Sequence, residues 1–569
     1  MKILVVVHGF PPAAQGGTEI YAHAHVNALR RQQGDDILVL TREQDPLRDE
    51  YAVRRESRDG FRIAWINNTF RKTRTFEETY RNAAIGDIAS RLIDDFQPDV
   101  AHIHHLTCLS TTIVPALTAR AIPCFMTLHD YWLICHRGQL LDVNYRICAG
   151  PEPSGCGGCV GSAGHAGPLS FVAARAVREF ERRLPIEPAR RLRSAADRVG
   201  ALLHGTSVQT GESLKRLEHM RDVCAGVTHF FAPSRYVRDR FVQFGIGPDR
   251  MTIHPLGIDR SAFCTQERIP GDRLRVGFLG SLMISKGPHV LLEAIRQLPA
   301  GAVSVDLFGS HVPYHGDNRY AARIEALAEG QDVRVHGPIP HERVADVLST
   351  MDVLVVPSIW PENSPIVIQE AFLARLPVVA ARVGGIPELI DHGRNGLLFE
   401  AGDSTDLARV LKRLVAEPAL LGALRGGSAG VRTIEDDARA TRVMYEARAI
   451  ARPSPCRRRV SAVVLNFRTP DDTLLAVKSL RAASRPLDDI IVVDNAPSDA
   501  LRDALRSTSA SISYVATTSN LGFSAGMNTG IREALTRGAD RVLLVNSDVI
   551  VPPDCADRLE RCLDATPAA

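Results

Sequence analysis

Short β-branched runs alternate with longer amphipathic stretches from residue 1 to about residue 430, and this alternation constrains the fold more than any other feature. It is typical of repeated strand–helix units built around parallel sheets. One block starts with a strand at Ile3–Val7 and a helix from about Thr18, and a similar block opens at Arg275–Gly280. We therefore predict an α/β fold with two Rossmann-like domains, residues 1–233 and 234–450, and a ligand-binding cleft between them. Further predicted strands are Ile37–Leu40, Val100–Ile103, Cys124–Leu128, Val303–Phe308, Val333–His336, Val353–Val356 and Val378–Ala381.

A third α/β unit follows a linker rich in proline and arginine. The linker spans residues 451–459, and the pattern then restarts with a strand at Val460–Leu465, a helix at about Asp472–Ala483 and a strand at Ile490–Asp494. We predict that residues 460–569 form a further, smaller domain.

Composition and charge exclude several classes of protein. Hydrophobic residues make up 45% of the chain and charged residues 23%, which is ordinary for a globular protein and excludes a disordered one. The net charge of 68 − 65 = +3 provides no basic field for nucleic acid. Eleven cysteines are too few for a disulfide-built secreted scaffold, and no stretch suits a signal peptide or a membrane span. We predict a cytoplasmic protein with no nucleic-acid partner.

The stretch from about Phe171 to Arg198 contains eight arginines, which outnumber its acidic residues. A basic amphipathic helix can lie on an anionic membrane surface, which would make the protein peripheral at the inner face of the membrane. The alternative is a solvated helical face inserted between strands, and we favour it because such patterns are weak evidence for a membrane contact.

The densest chemistry lies in residues 353–390. Ser364 suits an N-cap and Pro365 a first helical residue, so the N–H groups of Ile366 to Ile368 would be free to hold a phosphate. Glu362 precedes this helix, and Glu370 lies inside it, where a carboxylate can accept hydrogen bonds from a vicinal diol such as ribose. Two acids around a phosphate-binding helix start suit a nucleotide-diphosphate sugar. Spacing alone does not distinguish a donor-binding role for Glu362 and Glu370 from that of two solvated glutamates.

The chain resembles glycosyltransferase family 4, retaining enzymes with the two-Rossmann GT-B fold, over about residues 1–430. The resemblance rests on Glu362 and Glu370 with seven residues between them, and on Gly384-Gly385-Ile-Pro-Glu, Asn395-Gly-Leu-Leu-Phe and Gly280-Ser281-Leu-Met-Ile-Ser-Lys286-Gly287. It implies that Glu370 binds the donor ribose, that Glu362 contacts the donor sugar and that Lys286 neutralises the diphosphate. It also places Ser281, Asn363, Ser364, Pro365, Ile366, Gly384 and Gly385 in the donor site, with Ser281 where the family usually has arginine.

Two segments of the first block match the same family. Gly16-Gly17-Thr-Glu follows the first strand, where glycines let the backbone approach a donor phosphate or an acceptor closely. His129 follows the strand that ends in Thr127-Leu128, in the position of the family's active-site histidine. A lone histidine is more often structural, but its place at a strand's carboxyl end favours a catalytic role for His129, together with Glu362.

Retention of configuration requires no protein nucleophile when the acceptor attacks the face from which the leaving group departs. The donor phosphate can then take the acceptor's proton, while the enzyme positions the reactants and stabilises charge. The family 4 site is therefore expected to need no metal cofactor.

Four motifs of the third unit resemble glycosyltransferase family 2, in particular the nucleotide-binding half of rhamnosyltransferase-like GT-A domains. Three of the motifs are strands that end in Asn466-Phe467, Asp494-Asn495 and Asn546-Ser547-Asp548. The other is Asn520-Leu-Gly522-Phe-Ser-Ala-Gly526-Met-Asn528-Thr-Gly530. The resemblance implies nucleotide contacts by Asp494, Asn520, Asn528 and Asp548. Asn546 replaces the first acid of the family's Asp-x-Asp, which leaves Asp548 as the ligand for magnesium or manganese.

We predict that this unit transfers no sugar by itself. An inverting GT-A enzyme needs a carboxylate base near the acceptor hydroxyl, and in family 2 that acid lies well beyond the metal motif. Only 21 residues follow Asp548, with one predicted helix at Cys555–Asp564, so the GT-A unit is expected to be incomplete, with an open sheet edge and uncovered apolar surface. Either the natural chain continues, or the unit binds nucleotide or packs on the other domains. Acceptor-dependent transfer by a 455–569 fragment would contradict this prediction.

Four cysteines follow His129, namely Cys135, Cys148, Cys156 and Cys159, with twelve, seven and two residues between successive members. The closing Cys-Gly-Gly-Cys pair has zinc-knuckle spacing, and the segment is rich in glycine and proline. We predict a structural zinc that fixes an insertion beside the active site. The alternatives are four reduced thiols in a loop or an incidental redox pair.

The sequence thus predicts a bifunctional glycosyltransferase of cell-envelope polysaccharide biosynthesis. It would move a hexose-type sugar from a nucleotide-diphosphate donor to a polysaccharide, lipopolysaccharide or lipid-linked acceptor. Two alternatives stay open: an isomerase of the nucleotide-sugar 2-epimerase type, and a non-catalytic partner in a glycan-assembly complex. Donor hydrolysis or acceptor-dependent release of nucleoside diphosphate would distinguish them.

Overall fold

The computed structural model of the chain describes residues 1–162, 206–263, 271–314, 319–425, 430–449, 459–508 and 512–565. The chain divides into two compact units, Met1–Ala451 and Arg452–Ala569. The described part of the first unit contains two sheets, and that of the second contains one.

The first sheet has eight strands in the order β3-β4-β2-β1-β5-β6-β7-β8. All neighbours are parallel except β3 and β4, and Val5 lies opposite Val39 on one side and His102 on the other. Its strands are β1 Lys2–Val6, β2 Asp36–Glu43, β3 Val53–Arg58, β4 Phe61–Asn67, β5 Val100–Ile103, β6 Cys124–Thr127, β7 His229–Ala232 and β8 Met251–Ile253. The described helices of this part are Gly17–Gln33, Ala83–Phe96, Ile113–Thr118, Pro153–Ser162, Thr206–Gly226 and Arg235–Phe244.

Local sequence explains these elements. The central strand β1 is buried from Ile3 to Val6, as expected for a parallel strand covered on both faces. The helix Ala83–Phe96 buries an apolar stripe, and Asn82 caps it by accepting a hydrogen bond from the Ile85 N–H.

The second sheet has six parallel strands in the order β11-β10-β9-β12-β13-β14. Its strands are β9 Leu274–Leu279, β10 Val303–Phe308, β11 Val333–Gly337, β12 Val353–Val356, β13 Val378–Ala381 and β14 Gly396–Phe399. The helices around it are Pro288–Ile295, Arg319–Ala328, Val344–Ser349, Ile366–Leu373, Ile386–Leu389, Ser404–Ala416 and Pro418–Arg425. Short 3-10 turns occur at Glu77–Thr79, Pro248–Arg250, Ile284–Lys286 and His341–Arg343. The strand order is that of a doubly wound Rossmann sheet, and the first sheet repeats it with β4-β2-β1-β5-β6-β7.

The helix Ile434–Ala449 returns to the first sheet. The buried Asp437 accepts a hydrogen bond from the Tyr21 hydroxyl at 2.7 Å and also contacts His254, while Tyr445 contacts His102. The predicted boundary at residues 233 and 234 is therefore wrong, because β8 pairs with β7 and this helix also packs on the first domain.

The second unit has a parallel sheet in the order β17-β16-β15-β18. Its strands are β15 Val460–Asn466, β16 Asp489–Asp494, β17 Ile512–Ala516 and β18 Arg541–Asn546, and its helices are Pro470–Arg481, Asp499–Thr508, Gly522–Thr536 and Cys555–Ala565. Gly526 and Gly530 face the sheet, where a Cβ atom would lie 2.6 Å from Leu465 and 2.2 Å from Val463. The edge strand β18 exposes half of Leu544, and Ile550 after it is also exposed. Within the described residues this unit therefore has the open edge and the uncovered apolar surface that the sequence predicts.

Most strands predicted in the first two blocks agree with the structure to within one residue at each end, whereas the second strand is longer than predicted, at Asp36–Glu43. The strands β3, β4, β7, β8, β14, β17 and β18 were not predicted. The arginine-rich stretch from Phe171 to Arg198 and nearly all of the 451–459 linker lie outside the described residues. No described helix combines the length and apolarity needed to cross a bilayer.

Candidate active site

The predicted site residues of the first unit follow the carboxyl ends of central strands. In each Rossmann sheet the strand order reverses beside the first strand, and ligands of such sheets bind at that point. The loops involved follow β1 and β6 in the first sheet, and β9, β12 and β13 in the second.

The loop after β9 positions Lys286. Gly287 adopts a φ of +68°, and a Cβ atom there would lie 2.0 Å from the Pro357 carbonyl oxygen, so the close approach to the loop after β12 requires glycine. Lys286 consequently reaches across to that second loop, where its Nζ donates to Glu362 Oε1 at 2.7 Å. Ser281 lies half-buried near the start of this loop, and Lys286 is the one cation among the described residues that line the pocket beside Glu362.

Glu362 is a buried carboxylate whose hydrogen bonds converge on one oxygen. Besides Lys286, the Ser358 hydroxyl donates to Oε1 at 2.7 Å and the Trp360 indole N–H donates at 2.9 Å. These three donors fix the side chain in a pocket that also contains Gly280 and Pro365. Sequence reasoning identified Glu362 and Lys286 but missed Ser358 and Trp360.

The helix after Glu362 begins one residue later than predicted. It spans Ile366–Leu373, with Pro365 at the cap position in an extended conformation (ψ 117°), and Ser364 makes no capping hydrogen bond. The expected cap fails because the Pro365 carbonyl already accepts the Ile368 N–H at 3.2 Å. The open end of the helix therefore offers the N–H groups of Ile366 and Val367, not that of Ile368.

Glu370 is buried inside this helix. The His341 ring lies beside it, with its Nδ1 3.7 Å from Glu370 Oε1, beyond hydrogen-bond distance. Because burial disfavours the charged form, the pKa of Glu370 is raised to about 7. A buried carboxylate with spare acceptor capacity suits a ligand that donates hydroxyl hydrogen bonds.

The loop after β13 presses against the Glu362 backbone. Gly384 adopts a φ of +60°, and a Cβ atom there would lie 2.2 Å from the Glu362 carbonyl oxygen. The Gly385 N–H donates to that oxygen at 2.6 Å. Glu388 of the same motif accepts the N–H groups of Arg235 and Tyr236 at 2.8 Å each, so this acid caps the helix Arg235–Phe244.

We expect Gly384→Ala to destabilise the protein and displace Glu362. A non-glycine residue in this conformation costs about 1–3 kcal/mol, and the overlap with the Glu362 backbone adds to it. The matched control is Gly393→Ala, because Gly393 also has a positive φ (+85°) but open space around its Cβ position. Chemical denaturation should give a larger loss for Gly384→Ala than for Gly393→Ala. Equal losses would show that the close approach is not needed.

The glycine loop of the first sheet faces the helix Ile366–Leu373. A Cβ atom on Gly17 would lie 3.6 Å from the Ile366 side chain, so this loop and the start of that helix are neighbours. Gly16 leaves room for Glu19, because a Cβ atom there would lie 2.5 Å from the Glu19 carboxylate. Glu19 pairs with His8 at 3.1 Å. Burial acts to raise the pKa of Glu19, but the interaction with His8 lowers it below its usual value.

His129 follows β6 and is held by a second histidine. Its Nε2 lies 3.1 Å from His104 Nδ1, and burial, with the neighbouring His105, lowers the pKa of His129 to about 3. The imidazole is therefore neutral near pH 7 and can exchange a hydrogen bond with a ligand but cannot act as an acid there. The Asn363 amide donates to the Leu128 carbonyl beside His129, which joins the two Rossmann domains at this point.

The structure also brings together polar residues that the sequence did not single out. His105 contacts Asp130 at 3.0 Å, and the Trp132 N–H donates to Asp130 at 2.8 Å. Burial acts to raise the pKa of Asp130, but the charge and hydrogen bond of His105 lower it overall. Consecutive histidines after a buried strand were the available signal, but their contacts depend on the neighbouring strand.

In the second unit, Asp494 and Asp548 have different environments. Asp494 is fully buried, and its carboxylate accepts hydrogen bonds from Asn466 at 2.7 Å, from the Ala496 N–H at 2.9 Å and from the Tyr514 hydroxyl at 2.9 Å. Asp548 is exposed just beyond β18, as a metal ligand shared with a nucleotide would need to be. Asn520 and Asn528 are also exposed, and Asn520 accepts the Gly522 N–H at the start of the helix Gly522–Thr536.

Three family models match the chain in succession. Residues 15–153 match Glycosyltransferase Family 4, residues 259–425 match Glycosyl transferases group 1, and residues 461–569 match Glycosyl transferase family 2. The chain belongs to glycosyltransferase family 4, with a family 2 region after it. The matched ranges of the family 4 protein contain Gly16, Gly17, His129, Lys286, Glu362 and Glu370.

Curated relatives of this family 4 glycosyltransferase align with part of it. D-inositol 3-phosphate glycosyltransferase 1 of Catenulispora acidiphila is 32% identical over 202 residues, which cover 32% of this chain and 48% of the relative. The putative colanic acid biosynthesis glycosyltransferase WcaL of Salmonella typhimurium is 26% identical over 226 residues, 37% of this chain and 53% of the relative. The chain thus spans about half the length of these relatives.

Solved structures support the GT-B fold. Sucrose-phosphate synthase from Thermosynechococcus elongatus superposes with a TM-score of 0.55 at 18% identity, over 79% of this chain and 99% of that structure. HepE of Anabaena, solved in complex with UDP and glucose, superposes with a TM-score of 0.52 at 15% identity, over 79% of this chain and 100% of that structure. At these identities the likeness establishes the fold.

Proposed function

We propose that the first unit is a retaining glycosyltransferase that moves a hexose-type sugar from a nucleotide-diphosphate donor. The observation that carries the proposal is a pair of buried glutamates, Glu362 in the pocket lined by Lys286 and Glu370 in the helix whose Val367 lines the same pocket. Glu362 is held by three donors beside Lys286, while Glu370 has no group within hydrogen-bond distance of its carboxylate among the described residues. The first suits a fixed contact to the sugar, and the second suits a ribose diol.

Each residue has a role in this site. The diphosphate lies between Lys286 and the open N–H groups of Ile366 and Val367, since a cation and a helix start both favour anions. Lys286 has three donors, so it can keep Glu362 and still contact a phosphate. Glu362 aligns the donor sugar, and the neutral His129 hydrogen bonds to it. The acceptor hydroxyl attacks the face that the diphosphate leaves, and a phosphate oxygen takes its proton.

The acceptor class we propose is a polysaccharide, lipopolysaccharide or lipid-linked glycan. Support comes from the name of the WcaL relative, which refers to colanic acid biosynthesis. The site for the acceptor is the loop of Gly16 and Gly17, which faces the open end of the helix Ile366–Leu373. A cytoplasmic location at or near the inner face of the membrane is part of this proposal, as is the absence of a metal requirement.

A panel of nucleotide sugars tests the proposal. We expect one donor to raise the melting temperature of the full chain, and purified glycolipid or polysaccharide acceptors to accelerate release of the nucleoside diphosphate. Donor epimerised at C2 without acceptor would favour the isomerase instead. Binding without turnover, with every acceptor class tested, would favour the non-catalytic partner.

Metal dependence should distinguish the two units. We expect Asp548→Asn, in the full chain, to leave sugar transfer unchanged, because Asp548 belongs to the family 2 region and the family 4 chemistry proposed here uses no metal. The assay is initial rate with and without added magnesium or manganese. A rate that falls in Asp548→Asn would assign transfer to the second unit, and a rate that requires the added metal would contradict the proposed absence of a metal requirement.

A further inference from the structure

The segment between β6 and the helix Thr206–Gly226 carries four thiols, Cys135, Cys148, Cys156 and Cys159, here called the thiol cluster. Local structure positions each of them. Cys135 begins a tight turn, in which its carbonyl accepts the Gly138 N–H at 2.8 Å. The Cys148 N–H donates to the Leu140 carbonyl at 2.8 Å, which pairs the two arms of a hairpin. Cys156 and Cys159 lie one turn apart on the helix Pro153–Ser162, and residues three apart share a helix face.

The four thiols interact with one another. Burial, together with Cys135, Cys148 and Cys159, raises the pKa of Cys156 to about 11. Burial also raises the pKa of Cys159, with Cys135 and Cys148 contributing in the same direction. Burial also raises the pKa of Cys135, with Cys148 contributing in the same direction.

A buried cation, Arg216, lies beside the thiol cluster. Arg216 is 3% exposed, and it stacks over the Trp132 ring at 5.1 Å. Its Nη2 donates to the Trp132 carbonyl, and Cys135, Tyr80, Cys156 and Asp130 each interact with it electrostatically. A buried guanidinium is stabilised by nearby negative charge, which thiolates at Cys135 and Cys156 would add to that of Asp130.

We propose that the thiol cluster binds one structural zinc ion through four cysteine thiolates. Zinc prefers tetrahedral sulfur ligands, and the Cys-x-x-Cys spacing of Cys156 and Cys159 supplies one half of the site. On binding, four thiol protons are released, and the set of one Zn²⁺ and four thiolates carries two negative charges that compensate Arg216. The ion joins the turn after Asp130, the hairpin and the helix Pro153–Ser162, and so fixes one wall of the site that contains His129.

A second set of ligands is the rival. Among the described residues, His25, His102 and His104 are the one group whose candidate ligand atoms all lie within 4.8 Å of one another, so the four sulfur atoms must move closer to coordinate an ion. Both ring nitrogens of His102, however, already have partners, Tyr445 and Thr127. Three neutral histidines that bind a dication would give the core two positive charges. Four thiolates that bind the same ion carry a net charge of minus two.

Elemental analysis of the full chain, expressed with zinc and purified without chelator, tests the proposal. We expect about one zinc ion per chain, released when a mercurial reagent has titrated about four thiols. The cobalt-substituted protein should have thiolate-to-cobalt charge-transfer bands in the near ultraviolet. Zinc below about a tenth of an ion per chain, or a cobalt spectrum without these bands, would overturn the proposal.

Paired variants locate the ion. Cys156→Ser with Cys159→Ser should lower the zinc content at least about tenfold. The control is Cys108→Ser, which alters a half-buried thiol of the same unit outside the cluster and should keep the ion. Full zinc retention in the double variant would place the ion elsewhere, with the His25 group as the first candidate, and would overturn the assignment. If the double variant does not fold, the cobalt spectrum of the unmodified chain shows whether cysteine thiolates bind the ion.

Discussion

Glu370→Gln is expected to weaken donor binding about 10- to 100-fold while it makes the unliganded protein more stable at pH 8. The loss of affinity follows because a glutamine offers the ribose one acceptor oxygen in place of a carboxylate, and charge-assisted hydrogen bonds are the stronger kind. Calorimetric titration with the donor found in the panel measures it. Unchanged affinity in the folded variant would remove Glu370 from the donor site.

The gain in stability follows from the raised pKa. The unfolded chain releases the Glu370 proton near the ordinary value of 4.5, whereas the folded protein keeps it until about pH 7. Between these values the folded state binds the extra proton, so stability falls as pH rises, by about 1.4 kcal/mol per unit and about 3 kcal/mol in all. Glu370→Gln should therefore exceed the wild type by about that amount at pH 8 and match it near pH 4.5.

The control for this pair of effects is Glu325→Gln, which removes the same charge from an exposed position on the helix Arg319–Ala328. It should change neither donor affinity nor the dependence of stability on pH. Donor affinity of the wild type should also rise from pH 6 to pH 8 as Glu370 ionises, and this rise should be absent in Glu370→Gln. A wild type whose affinity is flat across this range would contradict the role of the carboxylate.

Lys286→Met is expected to cost the protein both donor affinity and stability. The phosphate loses a cation, which corresponds to about 10- to 100-fold in the dissociation constant. The buried Glu362 loses the partner that lies 2.7 Å away, and because Lys286 is 31% exposed we expect a loss of about 2 kcal/mol, less than for a fully buried pair.

A double-mutant cycle separates these effects. Adding Glu362→Gln to Lys286→Met removes the unpaired buried charge, so stability should recover while donor affinity stays low. Urea unfolding gives the first quantity and titration with donor gives the second. If the double variant recovered donor affinity with its stability, neither Lys286 nor the Glu362 carboxylate would contact the donor.

Much of the donor site could be predicted because it depends on local sequence. The apolar runs of β9 to β13 lie between breakers, so their ends, and the loops that carry Lys286 and Glu362, were clear from the chain. Glu370 lies eight residues after Glu362, a spacing that places it inside the helix that follows. The family models confirm the family over this part of the chain, and the roles of these residues stay predictions.

Other features depend on contacts between distant residues and could not be predicted. The strand β3, Val53–Arg58, is mostly polar, and it forms because Arg54 stacks on Trp65 of β4 at 4.9 Å and Glu56 accepts the Trp65 indole N–H at 3.1 Å. The pairing of His104 with His129 joins neighbouring strands 25 residues apart. The helix begins at Ile366 instead of the predicted Pro365, because the backbone places Pro365 at the cap position although residue preference favours Ser364 there.

The fate of the donor sugar in water tests the central claim most directly. The full chain is incubated with the donor and no acceptor, and proton NMR records the anomer released before it mutarotates. Retention predicts that the sugar first appears with the donor's own anomeric configuration, together with nucleoside diphosphate, and that Lys286→Met and Glu370→Gln slow its release. Release of the opposite anomer, or conversion of the donor to its C2 epimer without nucleoside diphosphate, would contradict the account.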